Sequence, residues 1–376
     1  MKKNVNRKNK VIGIVLVTIL VILLLLFLGA FLLVKSYLNK INYDHEVELV
    51  QATTIESALS DEEIMEELLA DEPDTGESDS PEEDIAQLEE QMEQQKIEQN
   101  NQLSTNADRD GVQTEDGITN ILLVGCDTRK QGGAGRSDSM ILVSVNEETQ
   151  KIHLSSIMRD SYVAIPGRSN NRINAAYAFG GGSLLLNTIE SNFAVDVDRY
   201  VAFDFYSFVD VVDSMGGIEI EVSEAEIPVL NGYVRELNRL NGRAEDTYLV
   251  TKSGLQLLNG TQALGYARIR YVGNGDFERT ERQRIVVQKL FEKAKTMNLL
   301  ELNDLLNILL PEVKTNLTQD EILSLALKAV TYLSYDMDSL RIPVDGSYKS
   351  MRVNGMAVLG IDLKTNQDAL SDFIAQ

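Results

Sequence analysis

The sequence predicts a layered α/β domain with helices on both faces of a sheet, and three observations predict it. NILLVG and MILVSV are apolar runs of strand length, separated by polar turn material, and KIHLSSI alternates. LLLNTIE, FYSFVDVV and TERQRIVVQKLFEKAK instead carry apolar residues at helical spacing. Buried strands mixed with amphipathic helices require helical layers to cover the sheet. Further along, Thr318, Gln319, Asp320 and Glu321 form a capping-box signature before ILSLALKAV, which predicts a late helix. No internal repeat is visible. The domain is expected over residues 117–376, long enough for a sizeable core.

Charge organises what precedes it. The 376 residues hold 35 Lys and Arg against 58 Asp and Glu, a formal net charge of -23. Residues 1–43 hold 7 basic and no acidic residues, residues 44–116 hold 2 basic and 25 acidic, and residues 117–376 hold 26 basic and 33 acidic. The headline charge therefore belongs to a middle stretch and not to the part expected to fold. It disfavours a polyanion-coating protein, and a single cysteine disfavours a disulfide scaffold.

Residues 11–34 form an apolar run of 24 residues, enough to cross a bilayer core as a helix. The run is too long for the core of a cleaved signal peptide and ends without an A-x-A-like site, so it reads as a signal anchor. Lys2, Lys3, Arg7, Lys8 and Lys10 precede it and only Lys35 and Lys40 follow it closely. This bias places residues 1–10 in the cytoplasm and the rest outside the cell, in a single-pass membrane protein. No ATP pool exists there, so any group transfer must use bond energy carried by the substrate. Residues 35–116 read as an acidic, largely disordered extracellular spacer, because so charged a composition cannot offset chain entropy by burial. Ile85, Leu88 and Met92 share helical spacing, but the pattern is brief and reads as a solvated face.

Exclusions narrow the chemistry. The two histidines are His45, in the spacer, and His153, on an alternating strand, which leaves almost no material for Ser-His-Asp or His-metal machinery. G-x-S-x-G, H-E-x-x-H, C-x-x-C and the phosphate-loop motif are all missing from the sequence. Cys126 has no plausible base and reads as a packing residue.

Arginine and carboxylate remain. From Arg129 to Arg284 there are 14 arginines and 3 lysines, whereas residues 285–376 hold 2 arginines and 7 lysines. Arginine's planar fork suits phosphate oxygens and keeps its charge when desolvated. A phosphate site is therefore favoured over surface ion pairs. Asp127 ends one strand and Asp138 begins the next, at one sheet edge, and carboxylates completed by water and substrate phosphate are what magnesium takes. In ARIRYVGNGDFERTERQR, Arg268 and Arg270 lie two apart. A helix starting near Asp276 would stack Arg279 and Gln283 on one face, with Arg282 turned partly away and its amide end attracting anions. For Arg282 and Arg284, an ordinary charged helix is an equal reading.

The ordered set NILLVGCDTR, GRSDSMILVSV, LSSIMRDSYVAIPG, RINAAYAFGG, LNGTQALGYARIR and GDFERTERQR closely resembles the LytR-CpsA-Psr family of Gram-positive cell-envelope proteins, over roughly residues 117–296. The resemblance implies an α-β-α sandwich with a central mixed sheet and an apolar cavity for a lipid tail. It implies a phosphotransferase that moves an anionic glycopolymer, such as wall teichoic acid or capsule, from a polyisoprenyl diphosphate carrier to peptidoglycan. Asp127 and Asp138 then correspond to the acids of a magnesium site, where manganese could substitute. Arg136, Arg159, Arg268, Arg270, Arg279 and Gln283 correspond to the diphosphate clamp and its neighbours. Arg159, Asp276 and Arg279 are the expected catalytic residues, with Asp276 orienting or deprotonating the acceptor hydroxyl. MRD stands where the family usually has PRD, and Cys126 where a small hydroxyl or aliphatic residue is common. A second reading is a non-enzymatic sensor or assembly factor that binds the lipid-linked intermediate. The cytoplasmic tail of about 10 residues is too short for a DNA-binding domain, so no nucleic-acid partner is expected. Asp196 and Asp198 form a D-x-D suggestive of a glycosyltransferase, a spacing common by chance.

Overall fold

The computed structural model describes residues 35–44, 79–103, 117–127 and 135–376. The expected span at 11–34 and much of the acidic stretch lie outside the described residues. Among those that are described, no helix is long and apolar enough to cross a membrane.

In chain order the elements are β1 (Asn42–Tyr43), α1 (Glu82–Leu103), β2 (Ile118–Asp127), β3 (Arg136–Asn146), β4 (Lys151–Ile157), β5 (Ser161–Val163) and β6 (Asn171–Arg172). There follow α2 (Ala175–Phe193), β7 (Tyr200–Asp204), α3 (Phe205–Ser214), β8 (Ile218–Val222), α4 (Ile227–Leu240), β9 (Gly254–Leu258) and α5 (Gly260–Ala267). The remainder is α6 (Asp276–Thr296), α7 (Leu299–Glu312), β10 (Lys314–Thr315), α8 (Gln319–Tyr332), β11 (Asp336–Ile342), β12 (Tyr348–Val353), β13 (Met356–Ile361) and α9 (Leu363–Ile374).

Seven strands form a central mixed sheet in the order β1-β10-β7-β2-β3-β4-β11. β2, β3 and β4 pair antiparallel, whereas β7 joins β2 and β11 joins β4 in parallel. Alternation along β3 sorts its side chains. Met140 and Leu142 pack with Leu185, Ile189 and Phe193 of α2 and Leu370 of α9. Ile141 and Val143 face the other way, with Val287 and Phe291 of α6. Both sheet faces are thus covered, as buried strands of this composition require. The helix expected after Thr318 is present with both capping-box bonds. Beside the sandwich stand a four-stranded sheet, β12-β13-β5-β6, and a hairpin of β8 and β9.

The reading of residues 35–116 as an acidic, largely disordered spacer is corrected in both of its described parts, 35–44 and 79–103. Asn42 and Tyr43 pair with Lys314 and Thr315 as the outermost strand of the central sheet. Glu82–Leu103 is a helix, and its Leu88 and Met92 are buried in the main core, with Ile85 packed against it. Leu88 lies close over Gly360 of β13, where a Cβ would come within 3.1 Å of it. Tyr162 donates a hydrogen bond from its Oη to Glu89, fixing the same helix to β5. The acidic composition is real, but two large apolar side chains on one face are sufficient to dock the helix, each worth roughly 1.5–3 kcal/mol when buried.

Because Met92 is only 2 % exposed, Met92→Ala should lower the unfolding free energy by about 2–3 kcal/mol. The exposed Gln91→Ala should change it by less than about 0.5 kcal/mol. Chemical denaturation of the full chain in detergent measures both, and equal effects would mean that the helix is not docked.

Candidate functional site

Between the sheet and α3, α5 and α6 lies a solvent-facing cleft of about 210 Å³. Leu123, Ile141, Phe203, Phe208, Leu264 and Val286 give it an apolar wall. Its close construction depends on Gly260, where a Cβ would fall 2.1 Å from the Val209 carbonyl oxygen, so only glycine lets α5 approach α3 this nearly. The other end is charged: Asp138, Arg159, Arg268, Arg270, Arg279 and Gln283 line it. Six of the expected site residues therefore meet in one cleft, from four separate stretches of chain.

A backbone irregularity places the acid. β2 and β3 pair Gly125 with Ser139 and Cys126 with Ser137, so the register shifts there and Asp138 is the extra residue of a bulge. Asp138 and Ser139, adjacent in sequence, consequently both line the cleft, which regular alternation would forbid. Arg159 Nη1 donates to Asp138 Oδ1 at 2.6 Å. Burial pushes the Asp138 carboxyl upward, but the Arg159 and Arg279 guanidiniums outweigh it and hold the group down at about 2.

Asp276, in the first turn of α6, gathers three guanidiniums. Arg279 Nη2 lies 2.8 Å, Arg270 Nε 3.0 Å and Arg159 Nε 3.6 Å from its carboxylate oxygens. Arg279 also donates to the Asp138 carbonyl oxygen at 3.4 Å, which ties α6 to β3. Burial and the neighbouring Arg159 both lower the proton affinity of Arg279. For Arg159, burial acts in that direction too, yet Asp160, Asp138 and Asp276 reverse it and keep the guanidinium firmly charged. The Nε atoms of Arg159 and Arg279 are buried and make no hydrogen bond among the described residues. Arg268 is held by Glu236 at 3.2 Å and lies over the Tyr233 ring at 4.7 Å.

The helical spacing argument holds. Arg279 and Gln283 face the cleft, while Arg282 turns away to Glu226 at 2.7 Å and Glu278 at 3.0 Å. Arg282 is a buried brace between α6 and the start of α4. Arg136 differs from expectation: it opens β3 opposite Asp127 and helps to lower the Asp138 carboxyl, but it does not line the cleft. The backbone of Asp127 ends β2, whereas its side chain lies outside the described residues. Cys126 is a core residue, its thiol pushed up to about 12 mainly by burial. Asp196 and Asp198 precede β7, at the end of that strand remote from the cleft-lining Phe203.

Sequence reasoning passed over Asp160 and Tyr233. Asp160 lies 3.6 Å from Arg159 and 3.8 Å from Arg172, and burial raises its carboxyl. Its signal was present, since it follows Arg159 directly in MRD. Tyr233 sits on α4, in a stretch with no charge pattern pointing to it.

A charged end rich in guanidinium, set against an apolar wall on an α-β-α sandwich, defines a protein shaped for an anionic head on an apolar stem. Comparison makes the class specific. The model of the LytR_cpsA_psr family matches residues 82–372, and the chain belongs to that family. It is 32% identical over 261 residues to the regulatory protein MsrR of Staphylococcus aureus (strain COL), covering 69% of this chain and 75% of that one. It is 34% identical over 229 residues to the polyisoprenyl-teichoic acid–peptidoglycan teichoic acid transferase TagU of Bacillus cereus (strain ATCC 14579), covering 60% and 69%. The structure of TagT bound to LI-WTA matches with a TM-score of 0.55 at 25% identity, over 69% of this chain and 90% of that one. The match from residue 82 agrees with α1 being part of the domain.

Asp138 stays ionised in the folded protein down to about pH 2, whereas its ordinary value is 3.8. Its contribution to stability is complete above about pH 4 and is lost as pH falls toward 2. The stability gap between the parent and Asp138→Asn should therefore narrow by about 1 kcal/mol or more between pH about 5 and about 3. A gap measured by denaturant unfolding that does not change with pH would contradict the pairing with Arg159.

Proposed function

We propose that the protein is a phosphotransferase of the LytR-CpsA-Psr type, which moves an anionic glycopolymer from a polyisoprenyl diphosphate carrier to a hydroxyl of peptidoglycan. The observation that carries this reading is the gathering of Arg159, Arg268, Arg270 and Arg279 at one end of a cleft that is otherwise apolar. The chemistry of the carrier matches that division, with a diphosphate at the guanidiniums and an isoprenoid chain along Phe203, Phe208 and Leu264. The named activity of TagU supports the reaction class.

In the proposed reaction the acceptor oxygen bonds to the phosphorus that bears the glycan. The bond from that phosphorus to the bridging oxygen breaks, and the carrier leaves as its monophosphate. Charge grows on the bridging oxygen, and Arg159 and Arg279 are the donors positioned to stabilise it. Transfers of this kind depend on positioning more than on a strong base. Asp276 is the residue assigned to orient the acceptor hydroxyl or take its proton, and it also holds three guanidiniums in place.

Magnesium, with manganese as a substitute, fits the residues present. Asp138 is an ionised carboxylate at the charged end, and the bond from Arg159 uses only part of its acceptor capacity. Asp127 is the second proposed ligand. Among the described residues no group of three or more acids, histidines or cysteines is assembled. An ion completed by water and substrate phosphate needs few protein ligands. Such an ion, when bound, would neutralise diphosphate charge. A single-pass anchor at residues 11–34, with the domain outside the cell, is part of the proposal.

Arg159→Ala should reduce transfer about 100-fold or more while circular dichroism shows the helix content retained. The assay supplies lipid-diphosphate-linked glycopolymer with peptidoglycan fragments and detects the phosphodiester product. Parental rates in the variant would overturn the clamp assignment, and binding without product in the parent would favour the sensor reading. Chelation should abolish transfer and added magnesium should restore it. Full activity after chelation and dialysis would remove Asp127 and Asp138 from the metal role.

A further inference from the structure

Tyr271 lines the cleft and yet is 81% exposed. It comes directly after Arg270, in the connection between α5 and α6 that also carries Arg268. Ile269, between the two arginines, is fully buried in the core. The connection is thus anchored on one side, with its guanidiniums directed to the cleft and Tyr271 at the rim. Tyr233 stands nearby and is raised by burial and by the proximity of Tyr271, but its ring is already covered by Arg268. The Tyr271 ring has no hydrogen-bond, aromatic or cation partner among the described residues. A large apolar side chain exposed singly is ordinary on a protein surface. One that borders a cleft, beside the residues assigned to the diphosphate, is placed to meet a ligand.

We infer that Tyr271 forms a saccharide subsite, a stacking platform for the first sugar ring attached to the diphosphate. The inference rests on the phosphotransferase reading and adds to it a contact with the glycan. A lipid-linked glycopolymer has three chemical parts in fixed order. The apolar wall suits the isoprenoid, the guanidiniums suit the diphosphate, and the next group must emerge at the mouth where Tyr271 stands. A pyranose presents a face of C–H groups that packs on an aromatic ring, while its hydroxyls stay in water. Tyrosine suits that task because its ring is a rigid, amphipathic contact surface. Arg270, paired with Asp276 and 41% exposed, borders the same mouth and marks where diphosphate gives way to solvent.

The test compares two ligands on the full chain in nanodiscs: a polyisoprenyl diphosphate bearing a short glycan and the same diphosphate without sugar. Tyr271→Ala should weaken binding of the glycan-bearing ligand about tenfold, the factor for loss of one such contact. It should leave the sugar-free ligand within about twofold. Tyr271→Phe, which keeps the ring, should bind the glycan-bearing ligand within about threefold of the parent. Equal weakening of both ligands by the alanine variant would overturn the subsite and assign Tyr271 to the diphosphate or lipid. No weakening of either would overturn it as well. If the parent binds neither ligand, the phosphotransferase reading fails and the subsite falls with it.

Discussion

The site depends on the mutual compensation of buried charge. Arg159 stands between Asp138, Asp160 and Asp276, and Asp276 in turn holds Arg279 and Arg270. Arg270 is partly exposed, but none of the others could occupy so dry a position alone, because an isolated buried charge costs several kcal/mol. Together they fix the ends of β3, β4 and α6 relative to one another. The cleft-facing excess of guanidinium over carboxylate is what remains for a ligand. A polyanion entering the cleft would complete a network that is already assembled, so little reorganisation is required for binding.

Two backbone features make that network possible. The bulge between β2 and β3 turns Asp138 into the cleft beside Ser139, where regular pleating would send one of them to the opposite face. Gly260 permits the near approach of α5 to α3 and so shapes the apolar wall. Charged and apolar halves of the cleft are therefore set by separate local devices, joined through α6. That helix contributes Arg279 and Gln283 to the charged half and Val286 to the apolar half.

Periodicity made the sheet and the main helices legible, because each is decided by which face of a local segment is buried. The spacing of Arg279 and Gln283 was legible for the same reason, as was the capping box at Thr318. Contacts over long sequence separation were not. Leu88 and Met92 are diluted by acidic neighbours in α1, and their burial is decided by β13, more than 250 residues later. Arg282 reads equally as site or surface in the sequence, because the group that holds it, Glu226, lies 56 residues earlier. Asp160 adjoins Arg159 in sequence, but its role depends on Arg172, which the fold brings to its other side. A bulge has no residue signature that distinguishes Asp138 from any other strand acid.

The docking of β1 and α1 changes the mechanical picture of the acidic stretch. Asp44 donates its backbone N–H to Thr315, and Asp79 accepts from the backbone of Gly355, so the chain is tied to the domain on both sides of residues 45–78. In the proposed topology, seven residues, 35–41, separate Val34 from Asn42 of the central sheet, a distance of at most about 28 Å even when extended. In that topology the domain would sit on a short leash, and a glycopolymer carried from membrane to wall would have to bridge the remaining distance by its own length.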